Sequence, residues 1–409
     1  MEHTALKAPS FKDDLDSLCQ RIRGAMTDLL TEAGGEPEAP AALSRHLQVS
    51  RTLAWRVSKI ATASKPLAVL EFLPRHGSIE ILLSACQRAG AGERAVERIR
   101  TAVAALDELV ATHAGDRETL DMMLADDGDT STTAIMESRR QAFLGNSGIW
   151  GIRCRTRFSL TALGPNHAGD GLMDLAMLAG VVGVRRLRTD VSVPLHVRFG
   201  YNDDGSERTE SQVDSLSGDW VTEDRVPLVR EFSVGGDGEL LATPDPTGGI
   251  RYELAPGPVG NTAQTTWVFG WRESAFASMY ADETNHFGEH GVRNLIPAES
   301  LQADLLVHRS LPIARNAETM LISGLGGERL GQFAGVRFDY LPMPERLQSI
   351  GHEPPVVSST VVPRYPDMVD LLMNRMKWDL NQFVGYRLVM RYPPIPTVAM
   401  IRYPLVRRD

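Results

Sequence analysis

Cysteine is scarce here. The 409 residues hold three, Cys19, Cys86 and Cys154, far apart and forming no C-x-x-C pair. A sparse, odd set reads as reduced thiols of a cytosolic protein, buried as small apolar side chains. Long apolar runs are missing too. No window approaches the ~18 consecutive apolar residues of a membrane span. The opening MEHTALKAPSFKDDLD has no apolar core for a signal peptide. A cytoplasmic protein with no membrane partner is the expectation. Catalytic signatures are equally thin, with no G-x-S-x-G and no P-loop lysine. The glycine-rich run at 324–331 does not space its glycines as a dinucleotide site needs, and reads as a turn between strands. No cofactor is expected, and an enzyme is the least favoured function class.

What is present is ordinary in bulk. Hydrophobic residues make up 43% and charged residues 23%, as in globular proteins, and the length suits two domains. A net charge of −9 argues against general coating of nucleic acid. Any such contact must come from a local patch.

The first 145 residues read as helices. Leu15, Leu18, Ile22, Met26 and Leu29 recur at helical spacing within residues 11–30, before Gly34 and Gly35. Further helices are expected at 78–89, capped by Ser78, at 93–113 with Gly115 past its end, and at 117–124. Residues 126–133, DDGDTSTT, are the linker candidate, followed by a connecting helix at 134–144. After Gly148 the texture changes to alternating apolar and polar residues. Strands are expected at 149–162, 191–201, 252–254, 266–271, 301–308, 319–323, 336–340 and 398–403. Residues 172–178 and 368–383 read as helices, and 202–219 and 235–249 as exposed loops. The expected fold class is therefore α+β. An all-helical N-terminal domain (1–126) and a linker with connecting helix (127–148) precede a larger, mixed, mainly antiparallel-sheet domain (149–409).

Residues 40–60, PAALSRHLQVSRTLAWRVSKI, carry the most information. Pro40 suits the first turn of a helix, and Leu43 and Leu47 give that helix an apolar stripe. Gln48, Val49 and Ser50 interrupt it. Ser50 is a good N-cap for a second helix, in which Leu53, Val57 and Ile60 point inward and Ala54 permits close approach. Arg51, Thr52, Trp55, Arg56 and Lys59 are left outside. Between Ala41 and Leu70 stand five basic residues (Arg45, Arg51, Arg56, Lys59 and Lys65) and no acidic one. A cationic patch on an acidic chain is the footprint of phosphate contact.

This segment resembles the helix-turn-helix of transcription regulators. Leu43, Leu47, Val49 and Val57, the small Ala54, and the run Val49-Ser50-Arg51 carry the likeness, which covers about 21 residues. Two positions depart from the family. Ser44 stands where members usually carry alanine, and Gln48 where they usually carry glycine, which best tolerates a left-handed turn. The resemblance implies double-stranded DNA as partner. Arg51, Thr52 and Arg56 would reach base edges, while Arg45 and Lys59 hold phosphates, with Ser50 and Trp55 on the same face. The plainer alternative is a helical hairpin whose basic face is solvated or docked on the protein's own acidic surface.

Elsewhere, His286-Phe287-Gly288-Glu289-His290 matches H-x-x-E-H, the inverted zinc-protease motif. Gly288 and Gly291 are poor helix residues, so a polar loop is preferred there, with His286 and His290 as weak metal candidates. Cys154 lies between Arg153 and Arg155, which on a strand face away from it. The pairs Tyr386-Arg387, Arg391-Tyr392 and Arg402-Tyr403 read either as a stacking surface for single strands or, preferably, as an oligomer interface. The expected function is a DNA-binding transcription regulator, a homo-oligomer, whose second domain senses a small-molecule effector or oligomerises. The rival is a structural protein assembled through that domain, and the third reading a zinc-dependent hydrolase.

Overall fold

In a computed structural model the chain divides into two compact units, Met1–Ala134 and Ile135–Asp409. The structure describes residues 11–124, 129–166, 171–198, 212–217, 226–235, 240–244, 249–283, 285–313, 316–324, 340–352 and 354–408. The fold class is α+β, with helices first and a larger, mainly antiparallel sheet region after them.

The first unit contains α1 (Phe11–Glu32), α2 (Pro40–Leu47), α3 (Arg51–Ala61), α4 (Ala68–Phe72), α5 (His76–Arg88), α6 (Glu93–His113) and α7 (Arg117–Leu124). The apolar stripe of α1 is fully buried, from Leu15 to Leu29, in one core with Val57 and Ile60 of α3 and Val96 and Ile99 of α6. α6 stops at Gly115, whose φ of +83° lets its N–H turn back to the Val110 carbonyl at 2.8 Å. Two expectations need correction. α5 begins at His76 with Arg75 at the cap, and Ser78 lies inside its first turn, its N–H on the Arg75 carbonyl at 2.8 Å. The expected linker is partly helix: Asp129 to Thr133 open α8 (Asp129–Trp150), because short polar residues suit a first helical turn as well as a loop. Residues 126–128 lie outside the described residues.

The second unit holds β1 (Ile152–Pro165), β2 (Leu172–Arg186), β3 (Val193–Arg198), β4 (Gln212–Ser215), β5 (Leu240–Pro244), β6 (Ile250–Leu254), β7 (Thr265–Ser278) and β8 (Phe287–Asn294). After them come β9 (Ala298–His308), β10 (Glu318–Ser323), β11 (Tyr340–Leu341), β12 (Gln348–His352), α9 (Tyr365–Met376), β13 (Phe383–Arg391) and β14 (Thr397–Pro404). The largest sheet runs β12-β13-β9-β1-β2-β7-β4. Within it β1 and β9 pair in parallel and the other neighbours are antiparallel. Smaller sheets run β11-β10-β14-β8 and β3-β6-β5.

Residues 172–178 are the clearest correction: they form strand, not helix. β2 sits mid-sheet and is covered on both faces. Ala176, Leu178 and Val182 enter the core shared with α9, while Leu175, Ala179 and Val181 enter the other. A strand buried on both sides reads as a continuous apolar run, which helical spacing can mimic. The helix expected over 368–383 ends at Met376, where Lys377 turns left-handed (φ +56°), and Phe383 already belongs to β13. Residues 149 and 150 belong to α8 rather than to β1. The expected loops contain β4 and β5, which hydrogen-bond to β7 and β6. Residues 202–211, 218–219, 236–239, 245–248, 325–331 and 336–339 lie outside the described residues. Among those residues, no helix is long and apolar enough to cross a membrane.

Candidate nucleic-acid interface

The residues of the 40–60 segment build two short helices and a fixed turn. α2 starts at Pro40 and buries Leu43 and Leu47. It ends at Gln48, which adopts the left-handed conformation itself, at φ 55° and ψ 42°. A side chain there strains the backbone. Ser44, the other departure from the family pattern, fastens the same turn: its hydroxyl donates to the Val49 carbonyl at 2.8 Å, a bond alanine cannot make. Ser50 then stands extended and its Oγ accepts the Leu53 N–H at 3.2 Å, the N-cap expected of it.

α3 buries Leu53, Ala54, Val57 and Ile60. Ser58, on the inner face, donates to the Pro37 carbonyl, and the His46 ring lies 2.7 Å from the Ala33 carbonyl. Those bonds tie α2 to the end of α1 and α3 to the loop that follows it.

The outer face gathers the residues expected on it. Arg45, Ser50, Arg51, Thr52, Trp55, Arg56 and Lys59 are all exposed. Positions 51, 52, 55, 56 and 59 recur at three- and four-residue steps, so they share one side of α3. Among the described residues, Arg51, Arg56 and Lys59 make no ion pair, and the first turn of α3 holds no acidic residue. Its free N–H groups add the positive end of the helix dipole to the same place. Trp55 is 44% exposed, its ring edge-on to Phe72 at 5.4 Å and 6.0 Å from the Lys59 ammonium. Sequence reasoning missed Phe72, because α4 is only five residues long and too short to show a period.

The other candidates resolve differently. His290 lies on strand β8 with its Nε2 3.1 Å from the Tyr403 hydroxyl, and His286 just precedes that strand. Along a strand, positions four apart are about 13 Å apart, against about 6 Å in a helix, so the two imidazoles cannot grip one ion as the zinc motif does. Glu289 pairs with Arg402 at 3.2 Å. Among the described residues, no group of three or more His, Cys, Asp or Glu is placed to hold a metal. The segment is a strand rather than the expected loop, because β8 hydrogen-bonds to β14 along its length.

All three cysteines are buried and free. Burial pushes the Cys154 thiol up to about 12, against the pull of Arg157, so it is no nucleophile. The C-terminal pairs make contacts within the unit, and Arg391 is exposed. Arg387 binds Asp304, Arg402 lies 3.5 Å over the Phe287 ring, Tyr403 is buried, and Tyr392 packs on Phe143.

No family model and no curated protein matches the chain. Among solved structures, that of a candidate protease from Parabacteroides distasonis is 8% identical, with a TM-score of 0.27 over 62% of this chain and 40% of that one. The chain thus spans well under two thirds of that protein, and likeness at this level carries no argument about fold or function.

Proposed function

We propose that the protein is a cytoplasmic, DNA-binding transcription regulator that docks α3 in the major groove. Arg51, Thr52 and Arg56 read base edges there, and Arg45 and Lys59 hold phosphates on either side. One observation carries this reading: a capped helix presents three cations, with no ion pair among the described residues, on one exposed face directly after a left-handed turn. A single such motif makes few base contacts, so two copies of the chain would bind paired half-sites. The second unit serves ligand sensing or self-association.

The test is duplex binding by fluorescence anisotropy across a salt series. Affinity should fall steeply with salt, by a log–log slope of about −0.9 per phosphate contact. Arg51→Ala and Arg56→Ala should each cost about 1–3 kcal/mol of specific binding and leave thermal stability unchanged. Duplex affinity that ignores salt, or that survives both substitutions, would remove the proposal. A large closed assembly indifferent to DNA in light scattering would favour the structural role instead.

A further inference from the structure

A cavity of about 220 Å³ opens in the second unit where β2, β3 and β7 meet β8 and β14. At about 30 Å³ per water that is room for roughly seven molecules, the scale of one large amino acid rather than a nucleotide or peptide. Much of its wall is apolar, from Met173, Met177, Trp271 and Phe276. Asp282, which is exposed, marks where it reaches the surface.

Three polar side chains on this wall keep polar atoms that find no partner among the described residues. His196 is 5% exposed, and its Nδ1 lies 2.6 Å from an Arg157 nitrogen. Guanidinium only donates, so Nδ1 accepts and the ring proton sits on Nε2. That Nε2 has no hydrogen-bond partner among the described residues. Burial, with Arg157, Arg198 and Arg293 nearby, holds the ring neutral at ordinary pH. Glu273 is 7% exposed and, among the described residues, makes no hydrogen bond or ion pair. Arg198 lines the same cavity beside the Tyr252 hydroxyl, and its Nε is buried with no partner among the described residues.

Charges drawn from water are costly unless paired, and here a buried carboxylate and a half-buried guanidinium line one cavity with no ion pair between them among the described residues. A molecule that carries both complementary charges would satisfy both walls at once. We infer that this cavity binds a small zwitterion of the amino-acid class. Its ammonium lies on Glu273, its carboxylate takes Arg198 and the His196 Nε2–H, and its apolar side chain lies along Met173, Met177 and Trp271. A simple carboxylic acid would leave Glu273 repelled, and a simple amine would face Arg198. The inference is independent of DNA binding, since it concerns only side chains of the second unit.

The test uses the full chain and calorimetric titration with L-leucine, L-methionine and L-phenylalanine, each up to roughly 10 mM. Phenylacetate and phenethylamine, each lacking one charge, are the control probes. Saturable binding of at least one amino acid is expected, with both control probes weaker than phenylalanine by about tenfold or more, as for the loss of a charged hydrogen bond. Glu273→Gln should weaken the amino acid by a similar factor and leave phenylacetate no weaker. No amino-acid binding, equal binding of phenylacetate and phenylalanine, or indifference to Glu273→Gln would each overturn the assignment. If the variant does not fold, the probe series on the native chain decides alone.

Discussion

The two units differ in whether they bury charge. In the helical unit the ion pairs lie at the surface: Arg98 with Asp28 and Glu32, and Arg100 with Glu80, every side chain more than two-fifths exposed. Among its described residues, Ser58 is the polar side chain that is buried. The sheet unit has surface pairs as well, such as Arg364 with Glu231 and Arg272 with Asp214, but it also takes charge inside. Asp304 on β9 faces Arg387 on β13 across the ladder and also accepts from the buried Tyr365 hydroxyl at 2.7 Å. Arg139 meets Glu345 at 2.6 Å, and Arg157 meets His196. The physical cause lies in the two kinds of backbone. A helix satisfies its own polar groups and needs only an apolar stripe, which leaves its outer face free for contact. A strand must find its partner in register, and a one-residue slip at β9–β13 would strand Asp304 and Arg387 on opposite faces. The helical unit keeps its chemistry outside, where a partner as large as DNA can reach it. The sheet unit keeps its chemistry inside, where only a small molecule fits.

That contrast can be broken at Asp304 first. Asp304→Ala leaves Arg387 buried and unpaired and should cost the sheet unit about 3–5 kcal/mol. Hydrogen exchange read by mass spectrometry should then show protection lost along β9 and β13 and kept along α1. Equal loss in both units would refute the contrast.

Acid is the next lever. His196 is held below its ordinary value by burial first and by neighbouring arginines second. The unfolded chain therefore takes up a proton below pH ~6.5 that the folded chain refuses. Stability is full above that pH and falls by about 1.4 kcal/mol for each unit below it, or about 2 kcal/mol at pH 5. His308, also lowered by burial and Arg309, acts in the same direction. Glu80 in the helical unit is held low by its bonds from Arg100 and stays ionised at pH 5. Melting curves at pH 7 and pH 5 should shift for the sheet unit and not for the helices.

Smaller effects sharpen the helical side. Gln48→Gly relieves a left-handed side chain and should raise that unit's stability by about 1 kcal/mol, read by chemical denaturation. Destabilisation there would show that the Gln48 side chain holds the turn. Arg98→Ala, at a surface pair, should cost roughly 0.2–1 kcal/mol in the same assay. A loss as large as that at Asp304 would erase the distinction between the units.

The sequence spoke most clearly where a pattern was local. The stripe from Leu15 to Leu29, the Ser50 cap and the outward set Arg51, Thr52 and Arg56 each lie within a few turns of chain. So does the turn at Gln48, foreseeable once the register of the two helices was set. β2 was misread because burial on both faces erased its alternation. The buried groups were invisible for another reason. Asp304 stands 61 residues from Tyr365 and 83 from Arg387, and His196 stands 39 from Arg157. No short window contains both members of such a pair. Glu273 lies just past the strand expected at 266–271, and only the fold puts it and Arg198 on the same cavity.

The parallel pairing of β1 with β9 has a consequence for how the chain is made. Thr156 and Ser300 bond side by side although 144 residues separate them. At 5–20 residues per second, a ribosome takes roughly 7–30 s to deliver the second after the first. The helical unit is complete before β1 has been synthesised, with ties such as Arg98 to Asp28 spanning 70 residues. β1 can meet β2 early, but its other edge waits. For those seconds the nascent protein is a finished helical module trailing an open sheet edge, the kind of edge that recruits chaperones or pairs with the wrong strand.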